Sequence, residues 1–267
     1  MKEITLNERK VIQLEILEMF DDFCRENNLK YSLAYGTLLG AVRHKGYIPW
    51  DDDIDVCMPR KDYEKMEKLF PQNYRSQYEF FSLNRTPHWH ICFGKISDSR
   101  TMVKELKSKT RPYGVNIDVF PIDNVSEDKN EYVQFVQKQN YLLQINTLKC
   151  FKMNKHTSLT KNLGAYLLKL RYCHMRQSAI LGIIQKRAQL LNTVETSNVQ
   201  DLVAGPIPNS TYRKAIFDHL ERFSFEGKEF YGFASFDEYL SCIYGDYMTP
   251  PPADKRISYH TSDAYWK

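Results

Sequence analysis

The stretch Gly36-Thr37-Leu38-Leu39-Gly40-Ala41-Val42-Arg43-His44-Lys45-Gly46-Tyr47-Ile48-Pro49-Trp50-Asp51-Asp52-Asp53-Ile54-Asp55-Val56-Cys57-Met58 decides how this chain is read. Near its end lies the densest charge in the sequence, four carboxylates in the five residues from Asp51 to Asp55. Such a run repels itself unless a cation neutralises it. The residues from Asp53 to Met58 read as a strand. Residues two apart on a strand share a face, so Asp53 and Asp55 are expected to point the same way. Two carboxylates so placed can grip one hard cation. Mg2+ characteristically keeps water and substrate phosphate in its remaining positions. Upstream, Gly36-Thr37 reads as a turn between a short strand at 31–35 and a short helix. Glycine there lets the backbone approach a phosphate closely. The stretch is not a P-loop, because no Gly-Lys-Ser/Thr follows.

Other readings of the acidic run compete. A charge run is commonly a solvated turn. An EF-hand loop is matched at Asp51, Asp53 and Asp55, but Val56 stands where it needs Gly, Asp62 where it needs Glu, and Pro59 interrupts it. A helix cap explains one Asp and not four. A further acid weighs against the solvated turn. In Asn116-Ile117-Asp118-Val119-Phe120, Asp118 sits between apolar neighbours on an expected strand. A carboxylate there is costly unless it meets a positive partner. A metal ion shared with Asp53 and Asp55 is one such partner.

Working outward, 7–26 reads as an amphipathic helix, with Ile12, Ile16, Met19, Phe20 and Phe23 at three-to-four spacing and Asn7 as its cap. Pro59 suits the start of a helix running to about 69. Strands are expected at 78–83, 91–96, 101–105 and 115–120. From about Lys129 the pattern becomes helical. Leu163, Tyr166, Leu167, Leu170 and Cys173 fall on one face, and Ile180, Ile184, Ala188 and Leu191 repeat the spacing. Gly205-Pro206-Ile207-Pro208-Asn209 is a breaker. Short strands at 223–225 and 229–231, a helix at 236–244 and a Pro250-Pro251-Pro252 stop close the chain. The fold class is therefore α/β, of the α+β kind: a mixed sheet with flanking helices and a mainly helical, basic second segment. The expected division is a catalytic core at 1–125, a basic helical segment at 126–205, and a C-terminal unit at 206–267 that packs back on the core.

The 267 residues are 42% apolar, 26% charged and 13% aromatic. That composition excludes a wholly disordered or collagen-like chain. No apolar run approaches the roughly 18–20 residues that span a bilayer. The N-terminus has no apolar core of a secretory signal. The six cysteines form no CxxC pair, so zinc-ribbon and thioredoxin readings have no support and reduced thiols in a cytoplasmic protein are expected.

The net charge of +4 is unevenly spread. From Tyr132 to Val194 there is no Asp or Glu, while ten Lys or Arg give +10, leaving −6 on the remainder. Such a segment suits an anionic partner. A nucleic acid is a poor candidate, since helix-turn-helix, zinc-finger and RNP patterns are missing and the acidic strand stays unexplained.

The blocks from Gly36 to His44 and from Gly46 to Asp55 resemble the LicD family. So do Lys95-Ile96-Ser97-Asp98 with Thr101, Ile117-Asp118-Val119-Phe120-Pro121-Ile122-Asp123, and Tyr244-Gly245-Asp246-Tyr247-Met248 with Pro250 and Pro251. The resemblance implies a nucleotidyltransferase-like fold. In it a Gly-Ser/Thr turn, here Gly36 and Thr37, holds phosphate, and Asp53, Asp55 and Asp118 hold Mg2+, with Mn2+ as an alternative. The family includes bacterial phosphocholine transferases that use CDP-choline, and it is similar to the fukutin-type enzymes that use CDP-ribitol. The cysteine metal site of some animal relatives has no counterpart here.

The implied reaction is transfer of phosphocholine from CDP-choline to a sugar hydroxyl of a lipid-linked teichoic acid or lipopolysaccharide precursor, with release of CMP. Transfer of ribitol or glycerol phosphate from its CDP donor is an alternative. Nucleotidyl transfer with release of pyrophosphate is another. Asp118 or Asp53 is the candidate proton acceptor. Lys95, Arg43 and His44 are candidate phosphate contacts, each with a surface ion pair as the plain reading. Choline is held by aromatic faces. Trp89 is the first candidate for that cage among Tyr35, Tyr47, Trp50, Tyr113, Tyr244 and Tyr247. The basic segment is expected either to dock on the inner membrane leaflet, at about 1 kcal/mol per basic residue, or to grip the pyrophosphate or an anionic glycan.

Overall fold

A computed structural model describes residues 1–104, 112–150, 159–208, 210–256 and 263–267. Helix α1 (Leu6–Glu26) buries Ile12, Ile16, Met19, Phe20 and Phe23 as their spacing requires. Its cap is Thr5 rather than Asn7. Thr5 Oγ1 accepts from the Glu8 amide and the Glu8 carboxylate accepts from the Thr5 amide, a capping box that satisfies both donors. Strand β1 (Ser32–Leu33) is only two residues long. Helix α2 (Tyr35–Arg43) begins one residue before Gly36, so Gly36 and Thr37 lie in its first turn rather than in a loop.

Strand β2 (Asp55–Pro59) starts at Asp55, leaving Asp53 in the preceding extended segment. The i, i+2 argument therefore does not place Asp53. Pro59 caps α3 (Arg60–Leu69). Strands β3 (Tyr78–Phe81), β4 (Gly94–Asp98), β5 (Thr101–Val103) and β6 (Asn116–Asn124) follow. β4 lies three residues later than its pattern suggested, and β6 runs four residues further. Helices α4 (Lys129–Cys150), α5 (Leu159–Arg171) and α6 (Gln177–Ala188) come next. Strands β7 (Asn198–Asp201) and β8 (Tyr212–Arg213) carry no clear alternation. The hairpin β9 (Leu220–Phe225) and β10 (Lys228–Phe233), α7 (Phe236–Tyr244) and β11 (Ala264–Trp266) complete the chain. Glu105, Lys152, Lys155 and Asn209, which the sequence reading used, lie outside the described residues.

Seven strands form one mixed sheet in the order β1-β2-β6-β4-β3, with β7 on β6 and β8 on β7. β6 is its axis. One edge pairs in parallel with β2. The other pairs antiparallel with β4 over 116–119 and with β7 over 122–124. The main core runs from α1 and α2 through the sheet to the hairpin and α7, where Phe225, Phe230, Phe233 and Tyr239 are buried. A second core joins α4 to α6 through Val136, Ile145, Ile180, Ile184 and Ala188. Cys24, Cys57 and Cys92 are buried free thiols.

Candidate active site

Register on the central strands builds the site. Asp55 on β2 stands directly opposite Asp118 on β6, and Lys95 on β4 stands opposite Asp118 from the other side. Cross-strand partners share a face, so three charged side chains lie at one level of three adjacent strands. Lys95 Nζ is 2.5 Å from Asp118 Oδ1, and Asn116 Nδ2 donates to the same oxygen at 2.8 Å. This ammonium is the positive partner that Asp118 requires between its apolar neighbours.

The first turn of α2 fixes the acids from behind. The Asp55 amide donates to buried Thr37 Oγ1 at 2.8 Å, and the Asp55 carbonyl accepts from the Ala34 amide at 2.9 Å. A Cβ at Gly36 would lie 2.4 Å from Asp51 Oδ2. The glycine thus makes room for a carboxylate, and Thr37 spends its hydroxyl on Asp55. A Cβ at Gly40 would meet the Gly46 carbonyl oxygen at 2.4 Å. That close contact lets the 44–50 turn fold over α2 and deliver the acidic run.

The four acids of the run divide their roles. Asp52 is buried. Its carboxylate lies 3.5 Å from Arg9 on α1. Gln13 Nε2 donates to the carbonyl oxygens of both Asp52 and Asn116, so α1 clamps the run to the start of β6. Asp51 hydrogen-bonds Asp53. Burial first, then the Asp53 charge, pushes the Asp51 carboxyl up to about 7. Asp55 is pushed well above the usual carboxylate range by burial, then by Asp53, Asp118 and Asp51, against the opposing pull of Lys95. Tyr244, just after the fold's last core helix positions, is raised by burial and then by Asp55, Asp51 and Asp53.

Asp53, Lys95, Tyr113 and Asp118 line one cavity of about 100 Å³, together with Arg9, Gln13 and Asn116. That volume suits a phosphate group or a few waters, not a whole nucleotide, for which pockets start near roughly 300 Å³. A larger cleft of about 1060 Å³ opens beside Pro59 and Ile122, at the far ends of β2 and β6. It contains none of the acids, so size alone does not locate the chemistry.

The remaining sequence candidates lie elsewhere. Arg43 Nη1 donates to the Tyr247 carbonyl, tying α2 to the C-terminal segment. The His44 ring meets Trp50 edge-on at 6.5 Å, and the Arg256 guanidinium lies 5.3 Å over that indole. Burial and then Arg256 lower the Arg43 pKa, and burial and then Arg43 lower that of His44. Arg43 and Arg256 are the positive charges of this group, and the lowered pKa favours a neutral His44 ring. Trp89 is only 2% exposed, packs with Phe81 and Tyr113, and donates its indole N–H to the Phe93 carbonyl. A ring enclosed in this way offers no open face to choline, so it buttresses Tyr113 instead. Arg9 and Gln13 carried no sequence signal, because they reach the site only through the packing of α1 on β6, whereas Asn116 lies on β6 itself, two residues before Asp118.

Oxygen-only donors that raise one another's pKa suit a hard divalent cation in their chemistry. As arranged, no group of three or more His, Cys, Asp or Glu is gathered closely enough to hold a metal among the described residues. Among the described residues, Lys95 sets a positive charge against Asp118.

Residues 28–161 match the family model described as "LicD/FKTN/FKRP, nucleotidyltransferase domain". The chain belongs to the LicD family. The whole site except Arg9, Gln13 and the C-terminal residues lies inside the matched span. This LicD-family chain is also 29% identical to the lipopolysaccharide cholinephosphotransferase LicD of Haemophilus influenzae over 272 aligned positions, covering 99% of each protein. A shorter likeness, 38% over 72 residues, relates 27% of the LicD-family chain to 23% of an uncharacterized protein of Rickettsia typhi. No helix is long and apolar enough to cross a membrane among the described residues.

Proposed function

We propose that this chain transfers phosphocholine from CDP-choline to a hydroxyl of a sugar in a lipid-linked cell-surface glycan precursor and releases CMP. The reading rests on one observation above the others. A near full-length relative is a cholinephosphotransferase, and the Asp55–Asp118–Lys95 level falls inside the family match. The enzyme is placed on the cytoplasmic side, where nucleotide-activated donors are found.

The acceptor hydroxyl attacks the phosphorus that carries choline. The bond from that phosphorus to the bridging oxygen breaks, and CMP leaves with the oxygen. The hydroxyl proton passes to Asp53 or Asp118, the two acids of the trio that line the cavity. Asp53, Asp55 and Asp118 would hold Mg2+ or Mn2+ once drawn closer together than they stand, and the cation would neutralise charge on the diphosphate. Lys95 steadies Asp118 and meets phosphate oxygens in the cavity. Arg43 and Arg256, with His44 beside Arg43, are the candidate contacts for the remainder of the diphosphate. Choline needs aromatic faces. Half-exposed Tyr244 is the candidate to supply one.

The matched model is named for a nucleotidyltransferase domain, which favours a second reading, nucleotidyl transfer to the sugar with release of pyrophosphate. Incubation with CDP-choline, CDP-ribitol, CDP-glycerol or CTP and a lipopolysaccharide acceptor separates the cases. CMP formed from CDP-choline in step with labelled acceptor supports the proposal. Pyrophosphate from CTP with nucleotide left on the acceptor overturns it.

A further inference from the structure

We infer that α5 is an interfacial helix that seats the protein on an anionic lipid surface. The inference goes beyond the reaction and holds whichever donor is used. Leu163, Tyr166, Leu167 and Leu170 follow one another at helical spacing and fall in one stripe. They are 59%, 50%, 56% and 48% exposed. None belongs to an apolar cluster among the described residues. The sequence pattern that ordinarily marks a core face here marks a face that the described residues leave uncovered.

Charge selects the occupant. α5 carries Lys169 and Arg171 beside the stripe. The acid-free stretch from Tyr132 to Val194 includes α5, α6 and nearly all of α4. Lys138, Arg171, Arg176 and Lys186 are exposed on it. Exposed leucines on a helix that carries Lys169 and Arg171 itself, within a stretch of sequence free of Asp and Glu, complement a bilayer, which offers acyl chains and anionic headgroups together. The 13 residues of α5 make a rod of roughly 20 Å, too short to span and suited to lying in the interface. Tyr166 fits the same place, with an apolar ring and a polar tip. A basic flank lets lysine and arginine stems lie along the apolar layer while their charges reach the headgroups.

The test uses the full chain and vesicles of phosphatidylcholine alone or mixed with phosphatidylglycerol. Co-sedimentation with the anionic vesicles is expected at low salt, with weaker binding at high salt and none to the neutral vesicles. The exposed double variant L163S/L167S is expected to keep its circular dichroism spectrum and lose at least about tenfold in partitioning. An independent reporter, L167W, is expected to shift its emission to shorter wavelength only with anionic vesicles. Absence of binding at low salt, equal binding by L163S/L167S, or an unshifted L167W emission overturns the inference. So does a wild-type dimer in sedimentation equilibrium that L163S/L167S abolishes, because the stripe is then covered by a second copy.

Discussion

Asp55 and Asp118 face each other across a parallel strand pair, directly in register. Two carboxylates so close together in a desolvated site repel. Burial first, then Asp53, then Asp118 raise the Asp55 pKa. A protein retains such an arrangement against its own stability when the negative charge has a use. Each prediction below follows from who neutralises these acids.

Asp55→Asn and Asp118→Asn are each expected to lower CMP release at least about 100-fold. Asp55→Asn also removes a charge that burial penalises, so its metal-free melting temperature is expected to equal or exceed that of the wild type. Turnover assays and melts in EDTA check both halves. Near-normal turnover in either variant removes that acid from the site.

The pH dependence has a definite sign. The Asp51 carboxyl is raised from 3.8 to about 7 by burial and then by Asp53. Between those values the folded state binds more protons than the unfolded one. The metal-free protein therefore loses stability as pH rises through this window. Protons also compete with a cation, so stabilisation by Mg2+ is expected to grow over the same interval. Melts with EDTA and with Mg2+, compared with Asp51→Asn, check this. A wild-type slope matching that of the variant in EDTA contradicts the assignment.

Lys95 pairs with Asp118 among the described residues. Lys95→Met is expected to cost at least about tenfold in turnover and to move the acidic limb of the pH–rate profile upward, because both central carboxyls lose their cation. Lys95→Arg keeps the charge and is expected to restore the profile while recovering only part of the rate. An unchanged profile in Lys95→Met shows that Lys95 does not tune the acids.

Arg60 and Asp123 form a buried two-armed ion pair at the other end of β6, with contacts of 2.7 and 2.6 Å. Asn192 Nδ2 donates to the same Asp123 at 2.6 Å, so the pair also anchors the segment after α6. Asp123→Ala leaves a buried guanidinium uncompensated and is expected to cost about 3–5 kcal/mol in urea unfolding. A loss below about 1 kcal/mol, the value of a surface pair, contradicts this reading.

Local pattern determined much of the molecule. Apolar spacing fixed the buried face of α1, and strand-like runs with turn residues between them located β2, β6 and the C-terminal hairpin. The acidic run announced a charge problem in the chain itself. Its solution was not local. The pairing of β2 with β6 and of β6 with β4 joins residues some sixty and twenty apart, and only that register puts Lys95 against Asp118. Thr37 reads as a phosphate contact from its neighbours but binds the Asp55 amide once α2 packs on β2. Trp89 reads as a ligand platform but is closed in by Phe81 and Tyr113. The stripe on α5 is equally visible in the sequence, yet periodicity states only that a helix has an apolar face. What covers that face depends on which elements reach it, and this is a property of the folded chain alone.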